Sequence, residues 1–205
     1  MKIDINKRYV EEEEVRVNDA PYRAYYDCLA EAFDFSTVDS VCDVGCATGH
    51  LLYFLKKHKN VKVKGYEYFS FHKDSEYCKE EIRDFIEVRD MRDPLPEDTE
   101  KYSLVNCSEV GEHLDPEYAS TLVENTKKLS DKYIVFTWAY RGDPSHKPKE
   151  MIQHLNPLTL SEYTKLMEDH GLKYNDEITN KFLAASLKTP DFYFWWRESL
   201  RVFEI

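Results

Sequence analysis

The stretch Val41-Cys-Asp-Val-Gly-Cys-Ala-Thr-Gly-His50 decides how the rest of the chain is read. A short β-branched run, Val38 to Val44, ends in the acidic Asp43 and then in Gly45. Small residues stand at positions 45, 47 and 49, and a helical stretch begins at His50. Glycines at such a junction allow positive φ and let the backbone approach a ligand closely. In an open α/β sheet, the carboxyl end of the first strand is where a ligand is expected. Asp43, at that end, can accept hydrogen bonds from an amino or ammonium group.

The pattern repeats on both sides of this stretch. Asp19-Ala-Pro21 opens a helix predicted to run to about Phe33. After the helix His50–His58, the alternating segment Val61–Tyr68 predicts a second strand. Lys73–Arg83 is helical in composition and Phe85–Val88 predicts a third strand. Tyr102–Cys107 reads as strand four and Asp115-Pro116 starts a helix to about Leu129. Tyr133–Trp138 reads as strand five, and Thr159–His170 as a helix closed by Gly171. Phe194–Ile205 reads as an apolar, strand-like end. Strands alternating with helices imply one α/β domain over 1–205, with a mostly parallel sheet covered on both faces. Residues 1–37 form its N-terminal segment and helix. Residues 139–157, with three Pro and two His, form a long loop suited to binding an acceptor or a metal.

Composition narrows the partners. The chain's 205 residues carry 28 Lys and Arg against 39 Asp and Glu, a formal charge of −11. That balance disfavours a nucleic-acid binder, which needs a basic face. No apolar run approaches the roughly 18 residues that would cross a bilayer, and Met1–Val15 is polar and then acidic, unlike a secretory leader. Five cysteines without CxxC spacing point to a reducing, cytoplasmic setting rather than a zinc or disulfide framework. The 15 Tyr, 11 Phe and 3 Trp suit a folded core and stacking on sugar faces.

Two more acids extend the first motif. Glu67 closes strand two, where a carboxylate can take both hydroxyls of a ribose. Asp90 and Met91 follow strand three, where they could hold an adenine. Together these residues resemble the class I S-adenosylmethionine-dependent methyltransferases over roughly residues 38–140. The resemblance implies a Rossmann-like fold with a seven-stranded, mostly parallel sheet flanked by helices. It also implies cofactor contacts at Asp43, Gly45, Cys46, Ala47, Gly49, Glu67, Tyr68, Asp90, Met91 and Ser108. Ala47 stands where the family pattern has its middle glycine. A nicotinamide enzyme would show a full GxGxxG, which this loop lacks.

A second constellation follows strand four. Glu109, Glu112 and His113 stand at i, i+3 and i+4, so one helical turn would align them. Two carboxylates and an imidazole beside the crevice suggest a divalent ion, Mg²⁺ or Mn²⁺. The Glu-x-x-Glu-His spacing resembles the small-RNA 2′-O-methyltransferases and the ubiquinone-pathway O-methyltransferases. The first resemblance implies a distant histidine as fourth ligand, for which this chain offers His154, with His146 as rival. The ligand set expected is thus Glu109, Glu112, His113 and His154, with His113, His154 and Glu112 also in catalytic roles. Ser108-Glu-Val-Gly-Glu-His113, Phe136-Thr-Trp-Ala139 and Arg201-Val-Phe203 further resemble compact viral and bacterial glycan methyltransferases. An O-methyltransferase of a sugar or glycan diol, such as a deoxyhexose like rhamnose, is expected. The alternatives are RNA 3′-terminal 2′-O-methylation, a quinone- or catechol-type acceptor, and a non-catalytic cofactor-binding module.

Overall fold

The computed structural model describes residues 19–139 and 154–205. Among them seven strands form one sheet in the order β3-β2-β1-β4-β5-β7-β6. The strands are β1 (Ser40–Val44), β2 (Lys62–Glu67), β3 (Ile86–Val88), β4 (Tyr102–Ser108), β5 (Ser130–Thr137), β6 (Lys173–Tyr174) and β7 (Arg201–Glu204). β1 to β5 pair in parallel, whereas β7 runs antiparallel to both β5 and β6. The strand order reverses at β1, between β2 and β4, which is where such sheets open a crevice.

The helices are α1 (Asp19–Ala32), α2 (His50–Lys59), α3 (Ser70–Asp74), α4 (Glu80–Arg83), α5 (Ala119–Leu129), α6 (Leu160–Asp169), α7 (Asp176–Ser186) and α8 (Phe194–Ser199). Period-two alternation along the strands assigns them to two faces. Val41, Val63, Leu104, Val135 and Val202 point into a core shared with Leu29 of α1, Leu52 of α2 and Phe182 of α7. Their neighbours Cys42, Val44, Val105, Cys107, Ile134, Phe136 and Phe203 point the other way, towards Leu122 of α5 and Tyr163 and Met167 of α6. A sheet buried on both faces is what near-continuous apolar strands require.

Local chemistry sets the ends. Thr159 accepts from Glu162 N while the Glu162 carboxylate accepts from Thr159 N, a reciprocal cap for α6. Gly171, at φ +77°, closes that helix. All five cysteines are buried and free.

Four expectations change. The helix predicted over 73–83 is two short ones, separated where Ser75 and Lys79 are extended. The helix predicted from Asp115 begins as a 3₁₀ turn, Pro116–Tyr118, before α5. Residues 194–199 are helical rather than extended, because α8 packs Trp196 edge-on against Tyr25 at 4.9 Å. The helix α7 was not expected at all. Among the described residues no helix is long and apolar enough to cross a membrane.

Candidate active site

At the carboxyl end of β1 the chain turns through Gly45 at φ +72°, Ala47 at φ +47° and Gly49 at φ +77°. Three left-handed residues in five bring backbone N–H groups towards the end of β2. Gly45 N donates to Tyr66 O at 2.8 Å and Ala47 N to Glu67 Oε2 at 2.8 Å. Space demands glycine as firmly as φ does. A Cβ at Gly45 would lie 2.3 Å from Val110 Cγ2, and one at Gly49 2.8 Å from Ile82 Cγ2.

Asp43 and Glu67 are both brought to this turn and are buried. Glu67 Oε1 accepts from Phe69 N at 3.0 Å and lies 3.2 Å from His72 Nδ1. Asp43 accepts from Asn106 Nδ2 at 2.7 Å. Burial lifts the Asp43 carboxyl to about 7, Asn106 opposing the rise and the nearby Glu67 adding to it. Cys46 is buried beneath the turn, so close to Gly65 that a Cβ there would sit 2.6 Å from its sulfur.

Asp90 stands near the end of β3 with its carboxylate already engaged. Arg92 donates to it from N and Nε at 2.9 Å and again from Nη2, which holds the Asp90 carboxyl below the usual range. The same guanidinium lies over the Tyr68 ring at 5.2 Å and over Tyr118 at 5.6 Å. Tyr68 is half exposed, whereas Met91 is buried in the core beside Tyr66 and Leu95.

The second constellation follows β4. Glu109 sits at φ +56°, which turns it out of the helical register assumed from the sequence. Its carboxyl instead accepts from Thr137 Oγ1 at 2.8 Å, and its N–H reaches Thr137 O at 3.2 Å. A 3₁₀ turn, Gly111–His113, then carries Glu112 inward and His113 to the rim. Gly111 is obligatory, because a Cβ would lie 2.2 Å from the Trp138 ring.

His154 arrives from beyond strand five. Its ring stands 5.0 Å from that of His113, at 73°. One ligand atom each from Glu112, His113 and His154 lie within 4.8 Å of one another. The structure brings these three together and leaves Glu109 outside the set, beside Glu112. Glu112 is 0% exposed; the backbone N–H groups of Glu112 and Ala139 and the Glu109 side chain act on its carboxyl, and His113 Nε2 lies 4.0 Å from Oε1. Burial, and then the adjacent Glu109, push its carboxyl well above the usual range. A buried acid so placed, with two imidazoles beside it, fits a divalent cation. His146 lies outside the described residues, as does most of the 139–157 loop.

Sequence reasoning missed two residues at this site. Asn106 in β4 bonds Asp43, and Tyr25 of α1 bonds Asn106. An Asn inside an apolar strand was the signal available for the first. Tyr25, one of many aromatics at helical spacing, carried none.

A family model described as a methyltransferase domain matches residues 17–177, most of the chain and all of the turn just described. The chain belongs to this methyltransferase family. The enzyme is an S-adenosylmethionine-dependent methyltransferase, with the class I fold. Its fold is similar to that of the plantazolicin methyltransferase BpumL in complex with S-adenosylhomocysteine. The TM-score is 0.67 at 15% identity, covering 99% of this chain and 91% of that one. It is also similar to the magnesium protoporphyrin IX methyltransferase of Synechocystis PCC 6803 with the same ligand bound. There the TM-score is 0.63 at 15% identity, over 100% of this chain and 88% of the other. A curated relative, a probable pectin methylesterase of Arabidopsis thaliana named CGR2, is 24% identical over 152 residues. That match takes in 72% of this methyltransferase but only 58% of the relative's length.

Proposed function

We propose that this methyltransferase transfers the methyl group of S-adenosylmethionine to one hydroxyl of a vicinal diol on a sugar or glycan. In this reading Glu112, His113 and His154 hold a divalent cation. The observation that carries it is the convergence of those three side chains around a wholly buried carboxyl. Burial and Glu109 oppose ionisation of that carboxyl, and a bound cation would supply the compensating positive charge. One oxygen and two nitrogen donors suit Mn²⁺, Fe²⁺ or Co²⁺ at least as well as Mg²⁺. A bound cation would lower the pKa of an acceptor hydroxyl and leave coordination positions for its neighbour.

The chain's own side chains account for the rest of the reaction. Asp43 takes the cofactor's ammonium group and Glu67 its ribose hydroxyls, while the Gly45–Gly49 turn lies along the methionine part. Tyr68 and Asp90 lie on the adenine side and Ser108 beside the crevice, while Cys46 and Met91, whose side chains are packed in the core, offer backbone groups there. Arg92 must release Asp90, or the adenine is read by backbone groups at that position. The acceptor oxygen attacks the methyl carbon in line with the sulfur, the carbon–sulfur bond breaks, and S-adenosylhomocysteine leaves. With the lone pairs of His113 and His154 given to the cation, the acidified hydroxyl proton leaves to water at the rim, where both residues reach solvent.

The acidic balance of the whole chain supports a sugar over a nucleic acid. The Arabidopsis relative's name, which concerns pectin, points towards a polysaccharide as well. Incubation of the enzyme and cofactor with a panel of monosaccharides, oligosaccharides, catechols and small RNA duplexes tests the acceptor. A methyl ether on a sugar hydroxyl, located by mass spectrometry and lost with EDTA, is the result expected. Undiminished turnover in EDTA removes the cation from the reading, and methylation of a catechol or an RNA end replaces the acceptor.

A further inference from the structure

A buried hydrogen-bonded chain joins the N-terminal helix to the strand-one acid. The Tyr25 hydroxyl donates to Asn106 Oδ1 at 2.8 Å and lies 2.9 Å from Ser108 Oγ. Ser108 Oγ in turn lies 3.0 Å from Asn106 Oδ1, as a donor. From the other end of the same amide, Nδ2 donates to Asp43 Oδ1 at 2.7 Å. Tyr25 and Asn106 are each 2% exposed, and Ser108 is partly buried.

An amide side chain has two unlike ends, an oxygen that only accepts and an NH₂ that only donates. Two hydroxyl protons are shared among the oxygens of Tyr25, Ser108 and Asn106. Both can be directed at Asn106 Oδ1, which lies 2.8 Å from the Tyr25 hydroxyl and 3.0 Å from Ser108 Oγ. That fixes the amide with its NH₂ towards Asp43. Reversed, its oxygen would face the Asp43 carboxylate, and two acceptors would meet in a buried place.

We propose that Tyr25 is a positioning residue for cofactor binding, which with Ser108 locks the Asn106 amide so that its NH₂ holds the Asp43 carboxylate ready for the cofactor's ammonium group. The proposal rests on the reading above, in which Asp43 takes that ammonium. It also gives α1 a part in the active site beyond packing. Tyr25 is seated by Phe192 stacked at 5.8 Å and by Trp196 of α8, so the lock is itself held in place.

The groups that face Asp43 from other elements are Tyr25 of α1, Cys46 of the glycine turn, Glu67 of β2 and Cys107 of β4. Cys42 is its neighbour within β1. Of the direct influences on its carboxyl, burial and Glu67 favour the protonated form and Asn106 alone favours the charged one. Freeing the amide to turn therefore makes Asp43 harder to ionise.

The test is calorimetric titration with S-adenosylhomocysteine from about pH 5.5 to about pH 8.5. It compares wild type, Tyr25→Phe, Ser108→Ala, the double variant, Ser108→Thr and Asp43→Asn. Affinity is expected to fall on the acid side, and the double variant to move that midpoint upward by about half a unit to one unit. At about pH 6.5 this weakens binding roughly three- to tenfold. Ser108→Thr, which keeps a hydroxyl, keeps the wild-type midpoint, whatever uniform loss of affinity its added methyl causes beside the crevice. If the double variant does not fold, each single variant still removes one donor and shifts the midpoint in the same direction. A lost packing contact would instead weaken binding equally at every pH, and that result overturns the proposal. If Asp43→Asn binds as tightly as wild type throughout, the proposal falls together with the role given to Asp43. If Asp43→Asn binds weakly while the hydroxyl variants keep the wild-type midpoint, the role of Asp43 stands and the amide lock alone is overturned.

Discussion

The indole Nε1 of Trp138 donates to the backbone carbonyl of Asn156 across 2.8 Å. Asn156 N in turn donates to Glu112 O at 3.0 Å. These two bonds tie the end of β5 and the segment that returns at residue 154 to the turn bearing Glu112. His154 stands two residues before Asn156, so the pair sets where its imidazole meets His113. Fold and candidate chemistry thus share one tryptophan, whose ring also covers Gly111.

Replacing Trp138 with Phe keeps an aromatic ring but removes the donor. The loss should be about 1–3 kcal/mol in stability, combining an orphaned carbonyl with a small cavity. The rise in thermal midpoint on adding Mn²⁺ should shrink by more than half, because His154 is no longer held. An unchanged Mn²⁺ response in a destabilised variant would show that this bond does not position the cluster.

Glu112→Gln separates a ligand from a structural acid. Burial and the adjacent Glu109 make ionisation of this carboxyl unfavourable. A neutral isostere should leave the metal-free protein as stable as wild type, or more stable by about 1 kcal/mol or more. Mn²⁺ affinity, measured by titration calorimetry, should fall at least about tenfold. Equal Mn²⁺ affinity in the two proteins would take Glu112 out of the ligand set.

Gly45→Ala combines a left-handed backbone with a clash against Val110. The conformational part is about 1–2 kcal/mol, and the added Cβ would lie 2.3 Å from Val110 Cγ2. Since Gly45 N also bonds Tyr66 O, the turn must shift to relieve either. S-Adenosylhomocysteine affinity should drop by an order of magnitude or more. Adding Val110→Ala should recover part of it, the strain in φ remaining. Full recovery would assign the effect to crowding alone.

Much of this architecture was legible before any coordinates. The strand–glycine–helix junction at 41–50, the acid at 67 and the capped helix after Thr159 are local signals, and each recurs where its residues predict. What escaped mostly depends on distant parts of the chain. Asn175 caps α7 by accepting from Ile178 N, and Asp176-Glu177 follow in its first turn, a local start signal that sequence reasoning passed over. Phe194-Trp-Trp196 carries strand composition, yet it folds as a helix because Trp196 is wanted against Tyr25. At the site, the spacing of Glu109, Glu112 and His113 suggested one helical turn. The positive φ of Glu109 and its bond to Thr137, 28 residues on, were invisible to that count. The Tyr25–Asn106–Asp43 chain likewise spans residues far apart in sequence.

The last expectation concerns pH and the same strand-one acid. Asp43 is held at about 7 in the folded protein against 3.8 ordinarily, chiefly by burial. A carboxyl whose folded value is raised keeps its proton longer in the native state than in the unfolded chain. Native protein therefore binds the extra proton between about pH 4 and about pH 7, and stability falls as pH rises through that window. Across the whole of it the loss from this one group is of order 4 kcal/mol. Other acids act oppositely: Arg92 holds Asp90 low, so that pair gains stability as pH rises through a lower range. The clean measurement is the difference between wild type and Asp43→Asn, by urea unfolding without cofactor. That difference should grow steadily in favour of Asn from pH 4 to pH 7 and level off above it. Saturating S-adenosylhomocysteine should erase most of the growth, since its ammonium group stabilises the ionised carboxylate. A difference that stays constant with pH would mean that Asp43 titrates normally, and that its burial is relieved in solution by something other than Asn106.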